Sequence, residues 1–417
     1  GAAPLLPRRH SFDAARAERG RDALFRARGA EMPLDALRNL WVVWGVLGLD
    51  DARYWAAFAT RYGFVPREGS LYPWGVVVEG ASASIQCMAC HVDEVAGRAV
   101  IGAGNGRIEL SELYEDLVRL AELAPSFGIP APVIPELWHR AYADRTGAPG
   151  ATDALGMGMT LASAYDAGAT IETRFGFQQP PAWWQLPYAD RAYTDGFAPA
   201  DNFRTMLATS LASGATLDQL RAMEPAFEDM RHYLLSLSSP AWPFAAAATI
   251  EVERGRAVFA RECASCHGTY DRSAGAYHDV IADVGTDPVR HQRFTTTEAT
   301  WLNATWFGEP PVADTDGYLA PPLLGVWATA PYLHNGSVPD LRALLRPAER
   351  PARWRRLERG ADDYDPIRVG VRFELAAATD AGVYDTTREG LSAAGHELGG
   401  GVSDGELDAL LAYLTTL

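Results

Sequence analysis

The sequence predicts a mainly α-helical protein folded as two similar lobes, with long loops and little β structure. Three observations lead there. The run Cys87-Met88-Ala89-Cys90-His91 recurs as Cys263-Ala264-Ser265-Cys266-His267, 176 positions later (263 − 87). A chain of 417 residues is long for one core and natural for two or three. Leu407, Leu410, Leu411 and Leu414 make one apolar stripe behind a Ser403/Glu406 capping box, the pattern of a helix that closes a lobe.

The repeated motif carries the chemistry. C-x-x-C-H is the attachment signature of c-type haem. Thiols three positions apart can each form a thioether to a haem vinyl group, and the histidine that follows is placed under the iron. All four cysteines of the chain lie in the two motifs, so none remains for a structural disulfide or a cysteine-rich metal knuckle. Cys87, Cys90, Cys263 and Cys266 are therefore expected to hold two covalent haem c groups, with His91 and His267 as proximal ligands.

Taken in order, residues 1–36 are rich in Arg and Ala, with Phe12, Ala15 and Leu24 suggesting a surface helix. Leu34 to Leu47 reads as a buried helix carrying Trp41 and Trp44. Gly63, Gly69, Pro73 and Gly80 mark loop before the first motif. Ile101-Gly102-Ala103-Gly104-Asn105-Gly106 lacks the Lys-Ser/Thr ending of a phosphate loop and reads as a turn packed near haem. Helices are expected over 109–123, 137–145, 200–211 and 217–235. The first lobe spans 1–240 and the second 241–417, with Ser238-Ser239-Pro240-Ala241-Trp242-Pro243 as linker. Ile250 to Arg261 is a helix running into Cys263, the order seen in class I cytochrome c folds, so both lobes are expected to be cytochrome c-like. A weak internal repeat sets Pro180-Pro181, Trp183-Trp184 and Tyr193 beside Pro321-Pro322, Trp327 and Tyr332.

Formal charge is −16, from 37 basic and 53 acidic residues. Nucleic acid is not expected as a partner for such a surface, whereas a basic redox partner protein or a neutral substrate fits it. No run of eighteen apolar residues exists, so no membrane span is expected. Covalent haem attachment takes place outside the bacterial cytoplasm, which points to a periplasmic or secreted protein. Gly1-Ala2-Ala3-Pro4 shows no signal peptide and reads as a processed end.

The sixth ligand of each iron decides what the lobes can do. No methionine follows Met230, so the second lobe has no Met ligand of its own. His396, in a glycine-flanked loop just before the closing helix, is the candidate, and His334 is the runner-up. For the first iron, Met157, Met159, His139 and His232 have no convincing ligand-loop setting. The segment Phe175-Gly176-Phe177-Gln178-Gln179-Pro180-Pro181-Ala182-Trp183-Trp184, with Phe197, can instead wall an open iron. Phe175, Phe177, Gln178, Trp183, Trp184 and Phe197 are accordingly the candidate catalytic residues. Trp301, Trp306 and Trp327 are candidates for electronic contact between the haems.

Pro321-Pro322-Leu323-Leu324-Gly325-Val326-Trp327-Ala328-Thr329-Ala330-Pro331-Tyr332-Leu333-His334-Asn335-Gly336-Ser337-Val338-Pro339 resembles the signature of rubber-oxygenase-like di-haem c-type cytochromes, within the superfamily of bacterial di-haem cytochrome c peroxidases. Val284-Gly285-Thr286-Asp287-Pro288 and Gly395-His396-Glu397-Leu398-Gly399 are similar to the same group. So, less specifically, are Val100-Ile101-Gly102 with Asn105, and the Trp183-Trp184 segment. The resemblance covers most of 40–417. It implies a C-terminal haem with two histidine ligands, His396 being one. It also implies an active N-terminal haem, open to oxygen and lined by apolar aromatics. Members that cleave polyisoprene are considerably longer than this chain, so the resemblance does not extend to rubber cleavage or a polymer channel.

The leading expectation is an oxidoreductase that activates oxygen or peroxide at the first haem, acts on a small or apolar organic substrate, and uses the second haem as electron relay. A peroxidase fed by a cytochrome, or acting on a protein, is the alternative; Gln178, Gln179 and Asp195 are its nearest polar groups for O–O cleavage. A plain electron-transfer cytochrome is the third reading. Asp314-Thr315-Asp316-Gly317 is a weak candidate for calcium, since it lacks the rest of an EF-hand loop.

Overall fold

The computed structural model describes residues 5–27, 29–132, 139, 147–163, 171–208, 211, 215–360, 362–398 and 401–417. Helix accounts for 40% of it and strand for 13%, in small sheets only, which makes the fold mainly α. Six helices frame it: α1 Ala14–Arg26, α2 Asp51–Arg61, α3 Leu110–Leu123, α4 Leu217–Ser236, α5 Thr249–Glu262 and α6 Asp404–Leu414. No described helix is long and apolar enough to cross a membrane.

The helix ends follow from their caps. Asp13 accepts the Arg16 amide at the start of α1, Thr216 and Gln219 form a capping box on α4, and Ser403 and Glu406 form the box expected on α6. The helix expected over 34–47 is instead two short ones, Leu34–Arg38 and Trp41–Trp44. Gly45, at φ 68°, ends the second, and Val46 and Leu47 turn outward. Of the helix expected over 200–211, Arg204–Leu207 is seen and residues 209–210 lie outside the described residues, as does nearly all of 137–145 and the end at 1–4.

Each lobe is built on a pair of crossing helices, α1 with α4 and α5 with α6. A glycine makes each crossing close. A Cβ at Gly20 would lie 1.8 Å from the Asp229 carbonyl oxygen, and one at Gly255 would lie 1.9 Å from that of Ala409. The lobes differ in the path from helix to motif. Cys263 comes directly after α5, whereas residues 27–86 intervene between α1 and Cys87. This insertion carries its own core, in which Leu37, Leu40, Trp55, Phe58, Tyr62 and Phe64 pack against Leu113, Leu117 and Leu120 of α3.

The internal repeat is a structural one, with a constant offset of 140. Ala192 pairs with Ala198 across one five-residue turn, and Tyr332 pairs with Val338 across the other. The second residue of each unit, Tyr193 and Leu333, is held at positive φ (69° and 67°), and Gly196 and Gly336 close the turns. The two copies grip each other. Gln179 N–H donates to the His334 carbonyl (2.7 Å), and its equivalent Leu319 N–H donates to that of Thr194 (2.9 Å). Trp184 Nε1 donates to the carbonyl of Leu324, its own equivalent, at 2.9 Å. This alignment places Tyr193 beside Leu333, one residue from the Tyr193–Tyr332 pairing that the sequence suggested.

The lobes therefore share a core. Trp184, Tyr188, Ala182 and Ala103 pack in one cluster with Phe259, Trp327, Leu345 and Leu410. Leu6 is buried in the same cluster, and the Leu5 carbonyl accepts Asp271 N–H, so the N-terminal segment crosses onto the second lobe. A buried charge node adds a second tie: Arg356 spans Asp93 (2.9 Å) and Asp363 (3.2 Å), and Arg107 also reaches Asp363 (2.8 Å).

The crossing of α5 and α6 gives a direct test. Gly255→Ala forces its methyl into the Ala409 carbonyl, so we expect a loss of about 1–3 kcal/mol from overpacking. Thermal unfolding followed by circular dichroism will show it as a lower midpoint; an unchanged midpoint would mean the helices do not cross there.

Candidate functional site

The two C-x-x-C-H motifs open into one cavity of about 1190 Å³. That exceeds the roughly 300–1,000 Å³ of an ordinary small-molecule pocket. Its wall includes Cys87, Cys90 and His91 from one motif and Cys263, Cys266 and His267 from the other. All four cysteines are free of disulfides. Burial pushes the Cys90 and Cys263 thiols up to about 12.

Backbone contacts fix each motif. His91 N–H bonds the Cys87 carbonyl at 3.0 Å, and His267 N–H bonds that of Cys263 at 2.9 Å, so each ring follows its cysteines through a single turn. Asn105 braces the first motif: its Nδ2 donates to the carbonyls of Ala89 and Gly63, both at 2.8 Å, and its N–H bonds the Cys90 carbonyl. Gly104, in the expected glycine turn, lines the cavity, where a Cβ would strike the Pro180 carbonyl.

The ring orientations follow the 140-residue repeat. His267 Nδ1 bonds the Pro321 carbonyl at 2.9 Å. The equivalent Pro181 carbonyl lies by the His91 ring, whose Nδ1 has no partner within hydrogen-bond geometry. Trp183 stacks on the His91 ring at 4.4 Å and 18°. Burial lowers both histidines to about 4, so both are neutral imidazoles, the form that ligates a metal. A carbonyl at Nδ1 leaves Nε2 of His267 as the ligating nitrogen.

His396 stands opposite His267, with ring centroids 6.1 Å apart. Two imidazoles binding one metal from opposite sides through bonds of about 2 Å each would be spaced by about this much, once each ring's half-width is added. Gly395 (φ 79°) and His396 itself (φ 52°) take left-handed backbone to put the ring there, and His396 N–H bonds the Val284 carbonyl. A non-glycine residue in that conformation costs about 1–3 kcal/mol and is a mark of functional placement. His396 Nδ1 is buried without a partner. Thr286 Oγ1 and both nitrogens of His334 are further unpartnered buried groups on the cavity wall. A covalent tetrapyrrole with polar edge groups suits this donor set.

Among the described residues no second imidazole makes a ring contact with His91, whose stacking partner is Trp183. His10 is engaged with the Ala189 carbonyl, His139 with the Tyr114 hydroxyl, and His232 with Asp13 N–H. The sequence of 208–215, which precedes the closing helix of this lobe as His396 precedes α6, holds no His, Met or Cys. The wall here includes Leu155, Met157, Met159, Ala162, Phe203 and Met206.

The predicted aromatic wall is only partly at the cavity. Trp183 and Gln178 line it. Trp183 does so beside the proximal His91, and Gln178 Oε1 accepts from Thr194 Oγ1 at 3.2 Å. Phe175 and Phe197 pack on Phe294, one layer behind the cavity. Phe177 lies against Gly147 and Gly390. Trp184 joins the lobes through Leu324 and is fully buried. Asp195 forms a buried ion pair with Arg290 at 3.1 Å. Of the other tryptophans, Trp327 packs on Trp242, while Trp301 and Trp306 belong to a separate cluster with Phe307. Among the described residues no group of three or more His, Cys, Asp or Glu is arranged to hold a metal ion, and Asp314 is hydrogen-bonded to Thr296. Sequence reasoning missed the prolyl carbonyls behind the two histidines; the 140-residue spacing of Pro181 and Pro321 was their signal.

A family model described as RoxA-like, cytochrome c-like matches residues 317–355. The uncharacterized proteins y4iM and y4iJ of Sinorhizobium fredii (strain NBRC 101917 / NGR234) are each 30% identical to this chain. The first aligns over 198 residues, 40% of this chain and 45% of its own length; the second over 272, 48% and 44%. The chain thus spans less than half the length of these relatives. The family match, together with the motif geometry, supports a relation to RoxA-like cytochromes, with covalent haem c.

Replacing His396 with Ala should convert one low-spin haem of the loaded protein to high-spin, read in the absorption spectrum. A low-spin signal that survives would transfer the assignment to His334.

Proposed function

We propose that the protein is an exported di-haem c-type oxidoreductase in which the haem of Cys87–His91 is the reactive one and the haem of Cys263–His267, ligated also by His396, relays electrons. One observation carries this reading: the His267 ring has a second imidazole at 6.1 Å, whereas no described histidine makes a ring contact with His91. A six-coordinate iron passes electrons, while an iron with one open position binds oxygen when ferrous or reacts with peroxide when ferric.

The protein's own groups favour oxygenation of an apolar organic substrate over peroxidase chemistry. Among the described residues, the part of the cavity wall contributed by 24–234 contains no Asp or Glu and no histidine besides His91. A peroxidase needs a positioned acid–base there to cleave the O–O bond. Besides Arg191, which donates to the Gly196 carbonyl at 2.7 Å, the polar groups present include amides and hydroxyls such as Gln178, Gln179, Thr194 and Tyr193, which can orient a bound molecule but are poor proton carriers near neutral pH. Burial raises the Tyr193 hydroxyl to about 12 and keeps it protonated. Leu155, Met159, Ala162 and Phe203 exclude water and offer an apolar surface to the substrate. Trp183 holds the His91 ring in one orientation. Trp184, bonded to the Leu324 carbonyl three residues after Pro321, is the aromatic group best placed between the two proximal segments, ahead of the Trp301, Trp306 and Trp327 first considered.

Carbon monoxide should bind one haem per chain in the reduced protein. Binding at neither haem, with Met157, Met159, Met206 or Met230 ligating the first iron, would leave electron transfer as the function. Trp184→Phe should slow electron exchange between the haems while leaving carbon monoxide binding in place; an unchanged exchange rate would remove Trp184 from the route.

A further inference from the structure

The insertion at 27–86 contains a hydrogen-bonded chain that the function above does not use. Trp44 Nε1 donates to the Tyr62 hydroxyl at 3.0 Å, and that hydroxyl donates to Asp116 Oδ2 at 2.7 Å. Tyr62 and Asp116 have no exposed surface, while Trp44 is partly open to solvent. Asp116 is ion-paired with Arg61 (2.8 Å) and Arg119 (3.2 Å). Burial, and then the nearby Asp116 charge, push the ionisation of Tyr62 well above its ordinary value, so it keeps its proton in the resting protein.

Three features make this more than a buried polar patch. The chain is directional, running from a surface indole through a phenol to a carboxylate that can take the phenol's proton. It is joined to the first haem motif: Tyr62 precedes Gly63, whose carbonyl shares the Asn105 side chain with the carbonyl of Ala89, inside the C-x-x-C-H. Ala89 and Cys90 also pack on the aromatic cluster of the insertion. Finally, further rings extend it. Trp44 stacks on Tyr54 at 5.0 Å, Tyr54 meets Trp55 at 5.5 Å, and Trp55 meets Tyr72 at 5.0 Å.

We infer that Trp44, Tyr62 and Asp116 form a proton-coupled relay that carries an oxidising equivalent from the first haem site to the surface of the insertion. The inference rests on that haem being reactive. Peroxide takes up two electrons and two protons to give two waters. One electron comes from Tyr62 and the other from the haem irons, with both protons drawn from solvent. As Tyr62 is oxidised its O–H bond breaks and the proton moves along the existing hydrogen bond to Asp116 Oδ2, leaving a neutral tyrosyl radical and a neutral acid. The Trp44 N–H continues to hold the phenoxyl oxygen. A one-electron donor of the phenol class, reaching the partly exposed Trp44, returns the electron, and Asp116 returns the proton; a second donor molecule, by the same route, returns the electron that the haem irons gave up. The relay would let a small phenol be oxidised at the surface, or would discharge the haem site when no substrate occupies the cavity.

The test mixes the haem-loaded protein with peroxide, freezes it within milliseconds and records electron paramagnetic resonance together with haem absorbance. A tyrosyl radical is expected, narrowed in protein grown on ring-deuterated tyrosine, and lost in Tyr62→Phe. Asp116→Asn should slow its formation by about 10²-fold, the size of a positioned proton acceptor's contribution. The resting haem spectrum of each variant reports whether it folded, and the deuterium labelling identifies the radical type without any substitution. Haem absorbance that changes with peroxide but gives no tyrosyl radical, or the same radical in Tyr62→Phe, overturns the relay alone. Absorbance that does not respond to peroxide overturns the relay, and carbon monoxide binding to the same preparation then decides separately whether the first haem is open.

Discussion

The arrangement depends on the reciprocal hydrogen bonds between two copies of one turn. Gln179 reaches the tip of the second turn at His334, and Leu319 reaches the tip of the first at Thr194. Buried backbone groups must be paired, so each copy needs the other to complete itself. That clasp sets the positions of Pro181 and Pro321, which lie two residues beyond Gln179 and Leu319 and by the two proximal histidines. Trp184 lies on the same seam, bonded to its own counterpart.

Within this near-symmetry the two halves differ in what surrounds each motif histidine. The second lobe spends backbone strain at His396 to place an imidazole across from His267. The first offers an apolar wall and a ring stacked on the proximal side. Position 334 holds a histidine, stacked on Tyr318, where position 194 holds a threonine bonded to Gln178. The buried charge node of Asp93, Asp363, Arg107 and Arg356 ties the strand after His91 to the far half of the chain. Breaking such a node by removing one partner costs far more than the intact node contributes, because a charge is left buried and unpaired.

Much of this was legible in the residues. The attachment motifs, the closing helix with its Ser403/Glu406 box and the glycine-flanked His396 are local patterns, each set by residues a few positions apart. The helix expected over 34–47 failed because hydrophobicity there continues past Gly45, and only the fold shows that Val46 and Leu47 face out. The aromatic segment misled for a related reason. Composition says that Phe175 and Phe197 are buried, but not which layer they occupy; they back the wall that Leu155, Met159 and Phe203 form, while the half-buried Phe177 packs elsewhere, against Gly147 and Gly390. The repeat was half-visible, because only Pro181, Gly196 and Pro199 coincide with Pro321, Gly336 and Pro339 at the true offset, and a chance Tyr193–Tyr332 match pulled the alignment off by one.

The clasp also bears on how far the chain can be treated as modular. Judged by its motifs alone, a cut in the 238–243 linker yields two independent cytochromes, each with its attachment site and its crossing helices. Each would instead carry a turn whose tip carbonyl has lost its donor and a strand whose amide has lost its acceptor, at the edge of a cavity that the missing half had sealed. Leu6 would be stranded as well, since its burial is provided by residues after the cut. The lobes are thus closer to an interlocked dimer written as one polypeptide than to beads on a string, and the linker serves to hold the two copies at high effective concentration rather than to keep them apart.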